Sequence, residues 1–461
     1  MKFEKINVNK ALLCFLFLHI FIWTLVPSIS NVNLPLDTIE ALAWGSNLDW
    51  GYNKHPPLSA WAVEFFYQMF GSQDWTYYFL SQIFVVLSFF IVFKFSEDFF
   101  ESKILSLISV MLLEGIYFYN FTTPEFNVNV CQLPFWSLTV YYSWKSIKQS
   151  SNINWLLLGF FAALGFLSKY LFLYLLIAID IFFIYYFITK KFDFKCLFSL
   201  LSFLVILIFH LVWLVENDYT TITYALSRTE TQNLNFLNEH IINPLTFIAK
   251  QFGILIPFFI MVLFIFPRFK INIKLKDKKL IFLLVINIVP IILMFLTSLF
   301  MGVKIRTMWM TPFYLFLGVL VLYIYKKYFD LKKIQSAFSI FLLFFLLSPI
   351  LYYYISISQT NKRTDYPGKK ISLLVQEKWD SNFKNDIGLV GGDEWYGGNL
   401  SYHLKSRPKW NNILESKNNN LPKNINGGFV LIGNPTILNK ICSGVFFTIN
   451  NSGICLSGIR K

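Results

Sequence analysis

The chain has 461 residues, of which 56% are hydrophobic, 20% aromatic and only 14% charged. A soluble domain carries about 45–50% apolar and about 25% charged residues, so the composition excludes an ordinary soluble enzyme and points to a polytopic α-helical membrane protein. The net charge of +14 does not mark a nucleic-acid partner. The lysines gather in short loops between apolar segments, which is the pattern of membrane topology and of contact with lipid headgroups.

A bilayer span takes about 20 apolar residues. Applied in chain order, that length predicts about eleven transmembrane helices, at 10–29, 75–95, 104–121, 129–146, 153–168, 171–189, 196–215, 246–267, 279–300, 307–325 and 335–357. The first is read as an uncleaved helix, because no small-residue cleavage site closes it. A lysine inside one very long helix would be costly, so Ser168-Lys169-Tyr170 is read as two spans meeting at a surface. With a cytoplasmic N-terminus, the basic loops around Lys94 and Lys103, Lys145 and Lys148, Lys190 and Lys191, Arg268 to Lys279, and Lys326 to Lys333 share one side. Residues 360–461 then lie on the other side.

Residues 1–358 read as a transmembrane domain and 359–461 as a small α/β domain. A helix is expected after Pro367-Gly368. Short strands are expected in DIGLVGGDEWYGGNLSYHL and GGFVLIGN. The glycines of LVGGDEWYGGN lack the spacing of a dinucleotide fingerprint. Cys14, Cys131 and Cys196 read as packing residues, and Cys442 and Cys455 could pair in an oxidising compartment.

The side opposite the basic loops gathers the chemistry. Asp37 and Glu40, spaced i, i+3, share one face of a short helix, where they could act as a general base, orient a hydroxyl or hold a metal. In GYNKHPPL, Lys54 and His55 precede two prolines that stiffen the backbone, an arrangement suited to a phosphate. TTPEFNVN offers Glu125, Asn127 and Asn129 in a polar turn. Glu114, inside a span, is an acid without an evident partner. Lys169, Arg228, Lys304 and Arg306 are further phosphate candidates on this side. His210 with His55, Glu40 and Asp37 could form a divalent-metal site, though no tight ligand spacing supports it. Taken singly, each motif reads equally as a solvated loop, a helix cap or an interfacial anchor.

As an ordered set the motifs resemble glycosyltransferase family 39, which includes protein O-mannosyltransferases and the aminoarabinose transferase of lipid A. The set runs DTIE (Asp37 to Glu40), GYNKHPPLSAW (Gly51 to Trp61), TPEFN (Thr123 to Asn127), LSKY (Leu167 to Tyr170), HLVWL (His210 to Leu214), YALSR (Tyr224 to Arg228), QFGILIP (Gln251 to Pro257) and KIRTMWMTP (Lys304 to Pro312). The resemblance implies a GT-C fold in a bacterial inner membrane, with the C-terminal domain periplasmic. It implies a polyprenyl-phosphate-linked sugar as donor and an envelope acceptor such as lipid A, with inversion at the anomeric carbon. By the same likeness Asp37 is the catalytic acid residue, assisted by Glu40. Lys54, His55, Lys169, Arg228 and Arg306 meet the donor phosphate, and Tyr52, Glu125 and Asn127 the sugar or acceptor. The family's loop often reads E-K-P-P-L; here it is Lys54-His55-Pro56-Pro57-Leu58, which weakens the case for a metal. Other acceptors, a protein hydroxyl or another glycan, remain open, as does a transporter of lipid-linked sugars. Against transport, no internal repeat is visible and the polar motifs sit at one face.

Overall fold

The computed structural model describes residues 7–189, 192–228, 235–266, 276–329, 333–413 and 427–461. Several of the basic positions used above, Lys190, Lys191, Arg268, Lys270, Lys274 and Lys332, lie outside them.

Apolar runs become helices because a backbone without water partners must satisfy itself within the segment. Helix α1 (Val8–Ser30) is followed by two short helices, α2 (Leu36–Gly45) and α3 (Leu58–Phe70), and by α4 (Asp74–Ser96). Next come α5 (Lys103–Met111), α6 (Val128–Cys131), α7 (Leu133–Lys148), α8 (Asn152–Ser168), α9 (Leu173–Thr189), α10 (Leu197–Glu216) and α11 (Thr220–Ser227). Then follow α12 (Asn243–Ile265), α13 (Lys278–Met301), α14 (Leu317–Tyr325) and α15 (Ile334–Ser358). Seven helical segments among the described residues are long and apolar enough to cross a membrane. Thr307–Tyr314 and Leu317–Tyr328, bent by 50° to one another, make an eighth if they count as one span. The expected spans at 104–121 and 129–146 are interrupted. The first breaks into 3₁₀ turns after Met111, and the second is divided at Gln132. The break at Lys169 between α8 and α9 falls where the sequence placed it.

The two sides separate. At one end Asp98 receives Lys148 at 2.8 Å, its carbonyl accepts from Lys279, and Asp277 accepts from Tyr323 at 2.7 Å. At the other end stand α2, α3, the polar turn at 120–127 and the C-terminal unit.

That unit begins with α16 (Gly368–Asn382) and carries a five-stranded sheet in the order β2-β1-β3-β5-β4. Its strands are β1 (Ile387–Gly391), β2 (Lys409–Asn411), β3 (Gly428–Gly433), β4 (Val445–Ile449) and β5 (Ser452–Ser457). β1 runs parallel to β2 and β3, while β5 is antiparallel to β3 and β4. Trp379, Val375, Val430 and Leu456 build its core. Cys442 and Cys455 are joined by a disulfide. One expected strand is instead a helix, α17 (Tyr396–His403). Gly398 reads in sequence as a turn, but it lets α17 lie against α2. A Cβ there would stand 2.9 Å from Ile39 Cγ2, so the glycine serves close packing rather than a bend.

The unit is fastened to the loop helices by polar contacts. Arg407 pairs with Glu64 at 2.6 Å, Tyr402 donates to Asp74 at 2.7 Å, Asn33 donates to Asn399 at 2.9 Å, and Trp410 N–H donates to Ser46 Oγ at 2.9 Å.

Candidate active site

Asp37 sits in the first turn of α2, a helix that follows Pro35 and needs no side-chain cap. The i, i+3 spacing puts Glu40 one turn on, so both carboxyls line one cavity of about 730 Å³. The same cavity is lined by Lys54, His55, Lys169, Arg228 and Arg306, contributed by four separate stretches of chain. Its remaining wall is apolar and comes largely from α9 and α13, through Leu173, Ile177, Leu293, Leu296 and Phe300. A charged head and an apolar flank therefore meet in one space.

The cations act on Asp37 together. Burial pushes its carboxyl up, and Lys169, Lys54, Arg306 and Arg228 pull it down, in that order, with the net direction upward. Glu125 lies behind Asp37 and accepts from its backbone N–H at 3.1 Å. Burial first, and then the Asp37 charge, push the Glu125 carboxyl up to about 8.

Lys169 has an extended backbone between α8 and α9, which aims its side chain into the cavity. Its ammonium donates to Asn129 Oδ1 at 2.6 Å and lies 5.2 Å from the Trp309 ring centre. Burial lowers its pKa to about 7, with Asp37 opposing the shift and Arg306 adding to it. An anion placed here would restore the full charge.

Lys54 is engaged differently from the expectation of a free phosphate ligand. Its ammonium is held by Glu40 at 3.0 Å and by Glu394 at 3.2 Å. Burial works against its charge, but the two carboxylates outweigh that and keep its pKa above the ordinary value. Burial pushes Glu40 up, with Lys54 drawing it back. His55 lines the cavity beside Trp44 but is no cation. Burial, then the Lys169 and Lys54 charges, push its pKa down to about 3. As a neutral imidazole His55 could meet a phosphate only as a hydrogen-bond donor.

Three residues expected at the sugar or acceptor do not line the cavity. Tyr52 stacks on Trp44 and its hydroxyl accepts from Asp49 N–H at 3.1 Å. Asn127 caps α6, accepting from the N–H groups of Asn129 and Val130. Glu125 supports Asp37 from behind. Lys304 also stays outside the cavity lining. His210 is not placed as a metal ligand. Its Nδ1 lies 2.7 Å from the Trp50 carbonyl, which can only accept, so Nδ1 carries the proton and Nε2 accepts from Tyr170 O–H at 2.8 Å. Among the described residues no group of three or more His, Cys, Asp or Glu side chains is arranged to hold a metal ion. Glu114 is not alone either: His19 Nδ1 stands 2.7 Å from its Oε1, both fully buried.

The sequence reading missed Glu394 and Trp309. Trp309 stood inside the quoted KIRTMWMTP motif, where an aromatic beside two bases is a usable signal. Glu394 was hidden by distance along the chain.

Comparison with known proteins agrees with this architecture. Residues 54–214 match the family described as dolichyl-phosphate-mannose-protein mannosyltransferase. The fold is similar to ArnT from Cupriavidus metallidurans in the apo state, with a TM-score of 0.59 at 11% identity, over 97% of this chain and 98% of that one. The same protein bound to undecaprenyl phosphate gives 0.57 at 11% identity with the same coverage. The oligosaccharyltransferase of Archaeoglobus fulgidus, solved with a tethered acceptor peptide, gives 0.44 at 12% identity over 85% of this chain and 63% of that one. Curated protein sequences give no match. Fold and site thus define a multi-helix membrane protein of the ArnT fold with a small C-terminal sheet unit. Residues 54–214 resemble the mannosyltransferase family and the chain shares its fold with ArnT, in line with the ordered motifs.

Proposed function

We propose that the protein transfers a sugar from a polyprenyl phosphate to an acceptor at the outer face of the membrane, and that the acceptor is lipid A. One observation carries the reading: Asp37 shares a cavity with Lys169, Arg228 and Arg306, and that cavity is walled by the apolar flanks of α9 and α13. A polyprenyl tail fits the apolar wall, and the phosphate fits the cations. ArnT, of the same fold, has been solved with undecaprenyl phosphate.

In the reaction, the acceptor oxygen attacks the anomeric carbon as the bond from that carbon to the phosphate oxygen breaks. The electron pair leaves on the phosphate, where Lys169, Arg228 and Arg306 receive it. A preorganised donor of this kind is worth about 10²–10³ in rate. If the acceptor is a hydroxyl, Asp37 takes its proton. If it is a lipid A phosphate, already an anion, Asp37 orients it. Attack from the face opposite the leaving group inverts the configuration.

Deletion of the gene followed by mass spectrometry of lipid A and of glycoproteins tests the reading. Lipid A is expected to lose the mass of one sugar. Loss from the glycoproteins instead would move the acceptor to a protein, and unchanged masses in every envelope pool would overturn glycosyl transfer.

A further inference from the structure

The C-terminal unit meets the cavity wall indirectly, through a contact between Glu394 and the cavity-lining Lys54. After β1 the chain turns at Gly392, whose φ of +157° belongs to glycine and whose Cβ, if present, would stand 2.6 Å from the Ile432 carbonyl. Two residues on, Glu394 is buried, with 10% of its side chain exposed. It accepts from Asn53 Nδ2 at 3.3 Å and pairs with Lys54 at 3.2 Å. Glu40 takes the same ammonium at 3.0 Å. Lys54 therefore has one acid from the α2 loop and one from a unit more than three hundred residues later in the chain. A lone contact to Glu40 would leave a long, flexible side chain free to swing; two contacts from different bodies fix its place.

We propose that Glu394 is a positioning residue for Asp37: with Glu40 it clamps the Lys54 ammonium on the cavity wall, where the positive charge faces the Asp37 carboxylate. The inference rests on the glycosyl-transfer reading. The groups acting on Asp37 are Lys169, Lys54, Arg306 and Arg228 as cations, and Glu125 and Glu40 as acids. Glu394 holds the Lys54 ammonium at 3.2 Å, and its influence runs through that lysine. The C-terminal unit is thereby part of the reactive site and not an appendage to it.

The test is the pH profile of sugar transfer by the full-length protein with a polyprenyl-phosphate sugar. Glu394→Gln keeps the shape and an acceptor oxygen but removes the charge that holds Lys54. Its acid limb is expected to move up by roughly half a unit to one unit, because Asp37 loses part of a cation. A bare loss of negative charge would move the limb down, so the sign separates positioning from a simple field effect. Glu394→Asp should restore most of the wild-type profile. Lys54→Met should move the limb at least as far, and adding Glu394→Gln to it should move it no further. An unmoved or lowered limb, or a full extra shift in the Lys54→Met background, overturns the proposal while wild-type transfer leaves the reading intact. A wild type that transfers no sugar overturns both. If Glu394→Gln is poorly folded, the Glu394→Asp and Lys54→Met profiles still decide the matter.

Discussion

The Lys169 ammonium and the Asn129 amide oxygen are 2.6 Å apart, in the wall of a cavity that also holds Asp37. The amide orients the lysine without neutralising it. Burial leaves the ammonium with a pKa of about 7, so near neutral pH only about half carries a proton until an anion arrives. Binding of a polyprenyl phosphate should therefore take up a proton above pH 7. The sign follows: affinity for undecaprenyl phosphate should fall as pH rises above about 7, by up to about tenfold per unit. Lys169→Met should bind weakly and flatten that dependence. Titration calorimetry in buffers of different ionisation heat measures both the affinity and the proton.

Asp37 is the opposite case. A base works only when deprotonated, and its carboxyl is held above the ordinary value by burial against four cations. Transfer to a hydroxyl acceptor should then be lost as pH falls through this raised value, well before ordinary carboxylates titrate. Asp37→Asn should lower kcat by about 10²–10⁴ and leave undecaprenyl phosphate binding nearly unchanged. Single-turnover rates beside equilibrium binding separate the two effects. Equal losses in both would argue that Asp37 holds the donor rather than the proton.

Much of this was legible in the sequence for a physical reason. Polar residues flanked by apolar spans have little freedom, so Asp37, Lys169, Arg228 and Arg306 had to lie at a span boundary, and one side of the charge bias collected them. The break at Lys169 was visible because a buried charge within a continuous helix is costly. What stayed hidden depended on tertiary approach. Nothing local marks Glu394 as a partner of Lys54, or His19 as the partner of Glu114. The helix α17 was read as strand because Gly397 and Gly398 normally break helices, and their packing against α2 and Trp410 is only evident in three dimensions. The protonation state of His55 was not legible because it depends on burial, which sequence does not report.

The contact between Arg407 and Glu64 should govern whether the C-terminal unit stays docked. Arg407 Nη2 lies 2.6 Å from both Glu64 Oε2 and the Leu42 carbonyl, and the guanidinium lies 4.3 Å from the Tyr67 ring centre. Removing the arginine leaves Glu64, 4% exposed, as a buried charge held, among the described residues, by Gln68. Arg407→Ala is expected to cost about 3–5 kcal/mol and to open the region around residues 359–368 to protease. Arg407→Met with Glu64→Gln should recover much of the loss. Limited proteolysis and thermal unfolding of both variants in detergent provide the check.

The buried pair His19 and Glu114 does not line the cavity and should act on stability alone. His19 belongs to α1 and Glu114 to the 3₁₀ turn after α5, and both side chains are fully buried. Asn120 Nδ2 donates to the Glu114 backbone carbonyl at 2.9 Å and to its carboxyl Oε2 at 3.4 Å. An acid within a helical bundle is tolerated when paired and costly when its partner is removed, by about 3–5 kcal/mol. His19→Leu should therefore lower the unfolding temperature more than the paired change His19→Leu with Glu114→Leu, which removes both polar groups at once. Turnover per folded molecule should stay at the wild-type level in each. A double mutant less stable than either single variant would show that the pair holds the bundle by its polarity, and a fall in turnover would tie it to the reaction after all.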